Sequence, residues 1–548
     1  MGALHPPVRL RCIGRQGARV RTTEDLASAY VCDIAKGDVV VGVREASIVT
    51  KGKRETRVLI ESQGWVSRKC FVAEAAALPP PRPPCHARYH VVVIGAGPLG
   101  LACAALCKRR GLGVTVLEKQ ASLGGDWRKH GNAWSELQTH KAGYLIGEPR
   151  DPAWSGLPSY PGRSDMLKYF SDFASLNGLD DDIVFDAEYV ERSRVDRRGT
   201  MDVRYSQGGR ELRTLEATHV FAAPGRVNVR RDVTLPGEDD FGGVVAYGNG
   251  GDLSGVALEN RRVVILGAGS FALENMRHAL LAKAHSVTLV ARDDQLVLSK
   301  AASYMIDRNA DAGVPRDAVI GGLAPAYALL GRGEAWLRDL VDRSSRRRTT
   351  TPTSDLYFLA LATGAASQRK NAVRRLEPGV VVLENGERLA ADVVLKCFGF
   401  GRDTDLDARV VWPAGDRDGR TVKDGWWNRF VDDGRRVFLT SSTASESFVP
   451  KPGDHWPGNV FMPAGTAEIF LSGAAGFGEP GSPRGAPTAW DRAARRHGDR
   501  TRTLGPTDAA LLAELAAAWD DHAARLGVAP PRYPYAAVPG AGGDTRAL

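Results

Sequence analysis

The chain has few cysteines, and their number and spacing limit what kind of protein it is. Seven are spread over 548 residues, an odd number with no Cys-X-X-Cys pair. An odd count in a long chain argues against a disulfide framework, and the missing pair argues against a dithiol reductase. Cys103 and Cys107 lie one helical turn apart, and we interpret both as small buried apolar residues.

Long apolar runs and a recognisable targeting segment are also lacking. No stretch is long and apolar enough to span a bilayer, and the first residues have no apolar signal-peptide core. We therefore expect a cytoplasmic protein with no membrane partner.

Basic residues are in excess but are not concentrated in one block. Lysine and arginine number 73 against 64 acidic residues, a net charge of +9. Because no basic block alternates with aromatic residues, we expect no nucleic-acid partner. The 11 histidines show no metal-ligand spacing, so we expect no metal.

What the chain does have is a pair of glycine-rich turns, each between an apolar run and a helix-compatible stretch. The first turn follows the run His90–Ile94. Such a turn lets the backbone approach a pyrophosphate and aims helix N–H groups at it. A second run, Val114–Leu117, ends at an acid about 20 positions beyond the middle glycine, where a carboxylate binds ribose hydroxyls. The predicted cofactor-binding residues here are Gly95, Gly97, Pro98, Gly100, Glu118 and Lys119.

The second turn has the G-x-G-x-x-A form and is followed by the run Ser286–Val290, which has no acid at its tip and leads into Arg292. A carboxylate there would repel a 2′-phosphate, whereas an arginine can pair with it bidentately. The first turn therefore indicates FAD or NAD and the second NADP. The alternative for Arg292 is a solvated surface residue. The predicted NADP-binding residues are Gly267, Gly269, Ser270, Ala272 and Arg292.

Strands and helices alternate over most of the chain, which indicates an α/β protein. We predict an FAD-binding Rossmann-like domain with an inserted NADP-binding Rossmann-like domain, preceded by a small all-β SH3-like barrel. The predicted segments are a barrel at 1–77, a proline-rich linker at 78–88, FAD-domain parts at 89–255 and 386–472, an NADP-domain at 256–385, and a C-terminal extension at 473–548. The extension is predicted to hold one helix over Asp508–Leu526, capped by Thr507 and ended by Gly527.

The N-terminal segment is interpreted from short alternating apolar runs with turn residues between them. Gly64–Arg68 resembles the end of an SH3-like domain over only a few residues. Two interpretations stay open: a peptide-binding module with a peptide partner, and a structural barrel packed on the enzyme.

Further motifs between Tyr89 and Glu468, taken together with the two turns, resemble the flavin-containing monooxygenases. Gly124–Trp127 is similar to the family's G-G-x-W, and Leu137–His140 to the strip that runs along the flavin ring. Ala223–Gly225 and Phe398–Phe400 stand where the family has its two A-T-G hinges. The resemblance adds four predicted cofactor-binding residues, Gly125, Trp127, Thr139 and Gly399.

The chain departs from this family at two positions that we take as catalytic candidates. Tyr247 replaces the histidine of the family fingerprint, and His140 replaces an asparagine that in animal-type members is thought to help hold the oxygenated flavin. The alternatives are a packed histidine and a core tyrosine.

The resemblance implies FAD and NADPH as cofactors, with O2 and a small molecule as substrates. The implied reaction is N- or S-oxygenation of a soft nucleophile through a C4a-hydroperoxyflavin. One alternative is a Baeyer–Villiger monooxygenase, although the segment Gly248–Gly251 lacks the tryptophan that usually ends its fingerprint. The others are an NADPH oxidase or flavin reductase, and a non-catalytic scaffold.

Overall fold

The structure is a computed structural model, and it describes only part of the chain. Side chains and backbone are described for residues 89–144, 146, 154, 156–225, 229–309, 313–346, 351–417, 420, 422, 429–432, 434–440, 463, 465–477, 506–507 and 509–535. For the strands between 2 and 73, for 455–456, and for 347, 464 and 508, only the backbone is described. The predicted linker at 78–88 lies outside the described residues.

The N-terminal strands form one antiparallel sheet. In spatial order they are Tyr30–Ile34, Ala18–Arg21, Gly64–Ser67, Lys53–Ile60, Val39–Thr50, Gly2–Cys12 and Phe71–Ala73. The all-β character of this segment agrees with the sequence pattern, but the predicted SH3-like barrel is not confirmed.

A mostly parallel sheet carries the first glycine turn. Its strands, in spatial order, are Ile183–Val184, Gly113–Leu117, His90–Ile94, His219–Ala222, Val437–Leu439 and Arg429–Phe430, and only the last pair is antiparallel. The strand before the turn is central and buried, as its unbroken apolar run requires. The chain crosses to one side for the second strand and later to the other side, so the turn lies at a switch point, where such sheets bind ligands.

A second parallel sheet carries the second turn in the same way. Its strands, in spatial order, are Val244–Tyr247, Val393–Lys396, Arg262–Leu266, Ser286–Ala291 and Ser367–Lys370. The strands Val244–Tyr247 and Val393–Lys396 lie outside the predicted NADP-domain at 256–385. This sheet therefore includes residues that precede the predicted domain and residues that follow it. The predicted α/β fold with Rossmann-like units is confirmed.

The helices, numbered in chain order, pack mainly on one face of each parallel sheet, and a small antiparallel sheet packs on the other face. They are α1 Pro98–Arg109, α2 Asp126–Lys129, α3 Arg163–Leu176, α4 Ser270–Leu281, α5 Lys300–Arg308, α6 Arg316–Leu329, α7 Glu334–Arg347, α8 Asp355–Ala362, α9 Thr404–Val411, α10 Pro463–Gly473 and α11 Asp508–Leu526, with a 3-10 turn at Lys141–Tyr144. Cys103 and Cys107 on α1 are fully buried in the core that α1 shares with the first sheet, α3 and α10, as expected.

Smaller sheets complete the architecture. Two are three-stranded and antiparallel, formed by Ala187–Arg192, Met201–Gln207 and Glu211–Ala217, and by Val373–Glu377, Val380–Leu383 and Arg388–Ala390. Two are strand pairs, Val229–Arg230 with Phe400–Gly401 and Val314–Pro315 with His455–Trp456.

The C-terminal helix α11 packs on the helices of the second sheet. The Thr507 hydroxyl accepts the Ala510 N–H, and Gly527 ends the helix in the left-handed conformation at φ 67°. Its apolar stripe, including Leu515 and Trp519, is buried in the same core as α4, α5 and α8. Within the described part of the chain, no helix has the length and apolar character needed to cross a membrane.

Candidate functional site

The first turn is held against the sheet by close backbone contacts. Gly95 has φ 98°, and a Cβ there would lie 2.6 Å from the Ala223 carbonyl oxygen. A Cβ on Gly100 would lie 1.8 Å from the Gly95 carbonyl oxygen, so only glycine lets α1 start this close to the strand. Helix α1 begins at Pro98 with no side-chain cap. Its first N–H groups therefore have no capping side chain and are available to a ligand.

Glu118 ties this turn to the second strand. Its side chain is 5% exposed, and its two oxygens accept the N–H groups of Ala96 at 2.7 Å and Gln120 at 2.8 Å. Burial raises the pKa of Glu118, and these hydrogen bonds oppose the shift. Each carboxylate oxygen keeps a lone pair for a ribose hydroxyl. The neighbouring Lys119 is exposed.

The predicted G-G-x-W segment packs directly on the first turn. The Gly124 N–H donates to the Ala96 carbonyl at 3.0 Å, and a Cβ on Gly97 would lie 3.5 Å from the Gly125 Cα. Trp127 donates from its indole N–H to the Tyr144 hydroxyl at 2.9 Å. The first turn and the G-G-x-W segment therefore pack together and form one cradle, with Gly97 and Gly125 in contact.

The second turn repeats this construction in a looser form. A Cβ on Gly267, at φ 128°, would lie 2.5 Å from the Cys397 carbonyl oxygen, which takes the place that Ala223 has at the first turn. Ala272 is fully buried at the third small position. Gly269 and Ser270 are exposed at the start of α4, which has no side-chain cap.

Arg292 follows the second strand of this unit and is exposed. Within the described residues its guanidinium has no ion-pair partner. Lys370 lies beside this position, because Ala291 pairs with it in register, and the Lys370 ammonium contacts Asp294 at 3.0 Å. Sequence reasoning missed Lys370, which stands far along the chain and has no motif around it.

His140, in the predicted flavin strip, is a packed histidine. It is 3% exposed and lies edge-on between the rings of Tyr160 and Tyr304, at centroid distances of 5.8 and 5.3 Å. Its Nδ1 accepts the Ala142 N–H at 3.1 Å, so the neutral ring carries its proton on Nε2. Burial lowers the pKa of His140 to about 4, which keeps the ring neutral near pH 7. The neighbouring Thr139 is half-buried.

Tyr247 lies elsewhere, at the edge of the second sheet. Its hydroxyl accepts the Val233 N–H at 2.7 Å, and its ring is flanked by Arg230 at 3.9 Å and Lys396 at 4.2 Å. The structure does not bring Tyr247 and His140 into contact. These contacts pack Tyr247 at the junction between the two units, and its catalytic role stays a prediction.

Gly399, the hinge glycine, adopts φ 76°, is exposed, and accepts the Arg231 N–H at 3.2 Å through its carbonyl. A residue with a side chain would be strained at this φ. A glycine therefore suits this position, and its contact with a cofactor stays a prediction.

Gln138 connects the flavin strip to the second turn. Its amide N–H donates to the Ser270 carbonyl at 3.4 Å, and its amide oxygen accepts the Thr353 N–H at 3.0 Å. The two predicted dinucleotide sites therefore meet through one side chain. The sequence analysis did not single out Gln138, because the contact joins positions more than a hundred residues apart.

A second polar junction joins the same two units. Glu274 on α4 accepts the Ser135 hydroxyl and the Asn132 side-chain amide, the latter at 3.1 Å. The side-chain amides of Asn132 and Asn275 both donate to the Gly248 carbonyl, at 3.0 and 2.7 Å. Burial raises the pKa of Glu274 to about 7.

This raised pKa predicts a pH-dependent stability. Between the unfolded value near 4.5 and the folded value near 7, the folded protein binds a proton that the unfolded chain lacks, so stability falls as pH rises. In the wild-type protein we expect the free energy of unfolding to fall by about 1.4 kcal/mol per pH unit in this window. Glu274→Gln keeps an acceptor oxygen but does not titrate, so we expect the variant not to show this fall. Denaturant unfolding at pH 5, 6 and 7 measures the difference, and parallel curves for the two proteins would contradict it. Glu259→Gln, at an exposed acid, is the control.

No group of histidine, cysteine or acidic side chains with the arrangement of a metal site occurs in the part of the chain that the structure describes. The described residues instead contain two glycine turns, each at the switch point of a parallel sheet. This arrangement defines a protein with two dinucleotide-binding units.

Residues 92–309 match the family described as pyridine nucleotide-disulphide oxidoreductase. This range contains both glycine turns, Glu118 and Arg292.

Curated relatives match parts of the chain. A probable indole-3-pyruvate monooxygenase, YUCCA4, of Arabidopsis thaliana is 26% identical over 183 residues, which cover 33% of this chain and 42% of that protein. FAD-binding monooxygenase ktnD of Aspergillus niger is 22% identical over 390 residues, 64% of this chain and 62% of that protein. Acetone monooxygenase (methyl acetate-forming) of a Gordonia species is 23% identical over 184 residues, 33% of this chain and 34% of that protein. The chain thus spans less than two thirds of each relative.

Among solved structures, the polycyclic ketone monooxygenase from the thermophilic fungus Thermothelomyces thermophila is 16% identical and has a TM-score of 0.49, covering 70% of this chain and 75% of that one. The three curated relatives are monooxygenases by name. Their similarity supports the resemblance to flavin-dependent monooxygenases seen in the motifs.

Proposed function

We propose that this chain is an FAD- and NADPH-dependent monooxygenase that transfers one oxygen atom of O2 to the nitrogen or sulfur of a small soft nucleophile. The observation that carries the proposal is the Gln138 bridge, which places the predicted flavin strip within hydrogen-bond distance of the NADP turn. Hydride transfer between two dinucleotides requires such proximity.

The residues present fit both cofactors. The cradle of Gly97 and Gly125 leaves room for a pyrophosphate, and side chains at these two positions would fill that room. Glu118 keeps lone pairs for the ribose hydroxyls. At the second turn, the exposed side chains of Ser270 and Arg292 suit a diphosphate and a 2′-phosphate. When bound, FAD supplies hydride acceptance from NADPH and the activation of O2.

The side chains around the strip have distinct proposed tasks. His140, neutral and buried, presents an Nε2–H donor and does not serve as a general acid near pH 7, because its pKa is about 4. Gln138 holds the second turn against the strip. Tyr247, with its hydroxyl at Val233, is better suited to positioning the junction than to the catalytic role predicted from its place in the fingerprint.

The test combines anaerobic reduction with isotope labelling. Purified holoprotein is reduced with NADPH while the flavin absorbance is followed, and is then mixed with ¹⁸O2 and either thioanisole or N,N-dimethylaniline. We expect bleaching of the flavin band, a product carrying one ¹⁸O atom, and less hydrogen peroxide than NADPH consumed. Peroxide equal to NADPH with every nucleophile would contradict the proposal and indicate an oxidase.

A Baeyer–Villiger reaction is the second candidate, and the similarity to a protein named acetone monooxygenase favours it. A ketone in the same labelling experiment distinguishes the two. An ester with one ¹⁸O atom from cyclopentanone or acetone, together with unchanged thioanisole, would favour this reaction over N- or S-oxygenation.

A further inference from the structure

A cavity of about 60 Å³ lies between the predicted flavin strip, helix α4 and the C-terminal helix α11. Gln138 of the strip and Arg277 of α4 form one side, and Ala518, Trp519 and His522 of α11 form the other. By size it holds a few water molecules or the reacting end of a small organic molecule. Gln138 also contacts the NADP turn, so the cavity adjoins the place where the two cofactors are proposed to meet.

The charges around this cavity, three of them half-buried and Asp355 buried, balance one another. Glu136 forms ion pairs with both Arg277 and Lys300, the latter at 3.2 Å. Asp355 accepts the backbone N–H of Lys300 at 2.9 Å and the hydroxyl of Tyr533 at 3.1 Å. Two cations therefore stand against two carboxylates, and an additional buried charge would have no partner.

The remaining groups near the cavity add less than one unit of charge to this balance. Glu274 is occupied by Ser135 and Asn132, and its raised pKa, about 7, makes it partly neutral. Glu514 and Arg525 of α11 act on Lys300 and Arg277 with opposite signs. Adding an unpaired ion to such a site costs several kcal/mol.

Hydrogen-bond donors remain free for a ligand. The Arg277 guanidinium uses its groups on Glu136 and on the Trp134 carbonyl, at 2.7 Å for the latter, and so retains N–H donors. The Lys300 ammonium lies over the Tyr160 ring at 3.7 Å and bonds only Glu136 among the described residues. Both side chains line the cavity, so an oxygen or sulfur atom of a ligand has donors there.

We propose that this cavity binds the oxygen-accepting end of a small uncharged ketone or thioether, held by Lys300 and Arg277, and that α11 limits the size of this substrate. The proposal rests on the proposed monooxygenase function: a thioether is a soft nucleophile of the first candidate reaction, and a ketone is the substrate of the second. The proposal favours uncharged molecules over aliphatic amines, which are cationic near pH 7.

Three five-membered rings that differ at one position test the charge preference: cyclopentanone, tetrahydrothiophene and pyrrolidine, the last protonated at pH 7. Binding to the oxidised holoprotein is followed by the flavin absorbance shift and by thermal unfolding. We expect the two uncharged rings to bind at least tenfold more tightly than pyrrolidinium. Equal or tighter binding of pyrrolidinium would overturn the proposal.

Lys300→Met keeps the apolar stem and removes the ammonium. It leaves the cavity with one net negative charge, so we expect weaker cyclopentanone binding and stronger pyrrolidinium binding in the same protein. A purely structural role for Lys300 would weaken both ligands together, and that result would count against the proposal. Lys168→Met, at an exposed lysine, is the control.

Ala518→Phe fills the cavity and is expected to raise the dissociation constant of cyclopentanone at least tenfold, in protein with full flavin content. The matched control is Ala517→Phe, on the exposed face of the same helix, which leaves binding unchanged. Ala518→Val serves as a milder variant if phenylalanine prevents folding. Unchanged binding in both Ala518 variants would overturn the assignment. Thermal unfolding detects ligand binding even in protein that holds no flavin. The experiment can therefore refute the cavity assignment and the proposed function independently of each other.

Discussion

Gly97→Val is expected to give a folded protein that is purified without FAD. Gly97 has φ −78°, which any residue adopts, and a Cβ there would contact the Gly125 Cα at an ordinary 3.5 Å. The valine methyl groups extend further, into the cradle where the backbone must approach the pyrophosphate. The substitution therefore removes the space for the cofactor while it leaves the glycine turn intact.

The measurement is the ratio of flavin to protein absorbance after purification, with thermal unfolding in excess FAD as the second readout. Wild-type protein is expected to gain stability from FAD and the variant to gain none, because only a bound ligand shifts the folding equilibrium. Gly156→Val is the control, since a Cβ at that exposed glycine meets nothing within 4 Å. A variant that retains full flavin would refute the FAD assignment of the first turn.

Arg292→Ala is expected to weaken NADPH about 10- to 100-fold and to change NADH little. A charge-assisted hydrogen-bond pair to a phosphate contributes about 1.5–3 kcal/mol to the binding free energy. NADH has no 2′-phosphate, so its binding does not depend on this pair. Arg292 is exposed and has no competing ion-pair partner in the described structure, so its guanidinium is available to the ligand.

The dissociation constants are measured from the rate of flavin reduction at increasing NADPH or NADH. Lys370→Ala is expected to have a smaller effect in the same direction, because Asp294 already holds that ammonium at 3.0 Å. Arg210→Ala, at an exposed arginine in the first unit, is the control. An equal loss for both nucleotides in Arg292→Ala would remove the 2′-phosphate role.

Local features of this fold could be predicted from the sequence because each depends on neighbouring residues. The strand His90–Ile94 is an unbroken apolar run, and the helix Asp508–Leu526 has its cap at Thr507 and its end at Gly527. The turn after the strand His90–Ile94 could be predicted as well, because it needs glycines that no other residue replaces without a clash, such as Gly95.

Contacts between distant parts of the chain could not be predicted in this way. Nothing in the sequence around Gln138 indicates that it bonds Ser270, and nothing around Ala518 indicates a cavity wall. The strand Val244–Tyr247 belongs to the second sheet because it pairs with Val393–Lys396, a partner almost 150 residues away. Sequence patterns give the type of an element, whereas its neighbours depend on the tertiary fold.

The family position of Tyr247 did not reveal its contacts, and its catalytic role stays a prediction. It stands in the family fingerprint, yet its hydroxyl is bonded at Val233 and its ring is flanked by Arg230 and Lys396. A fingerprint records where a residue lies in the chain and leaves its contacts undetermined.

The position of α11 has a consequence for how the chain folds during synthesis. Leu515 and Trp519 complete the core around the strand Arg262–Leu266, which leaves the ribosome some 250 residues earlier. Until α11 emerges, the apolar face that it covers on α4 and α8 stays open to water and to other nascent chains. Contacts between such distant residues also slow folding, because the entropy cost of closing the loop comes before the stabilising contacts form. Heterologous expression at reduced temperature, where synthesis and aggregation both slow, is therefore expected to raise the soluble yield.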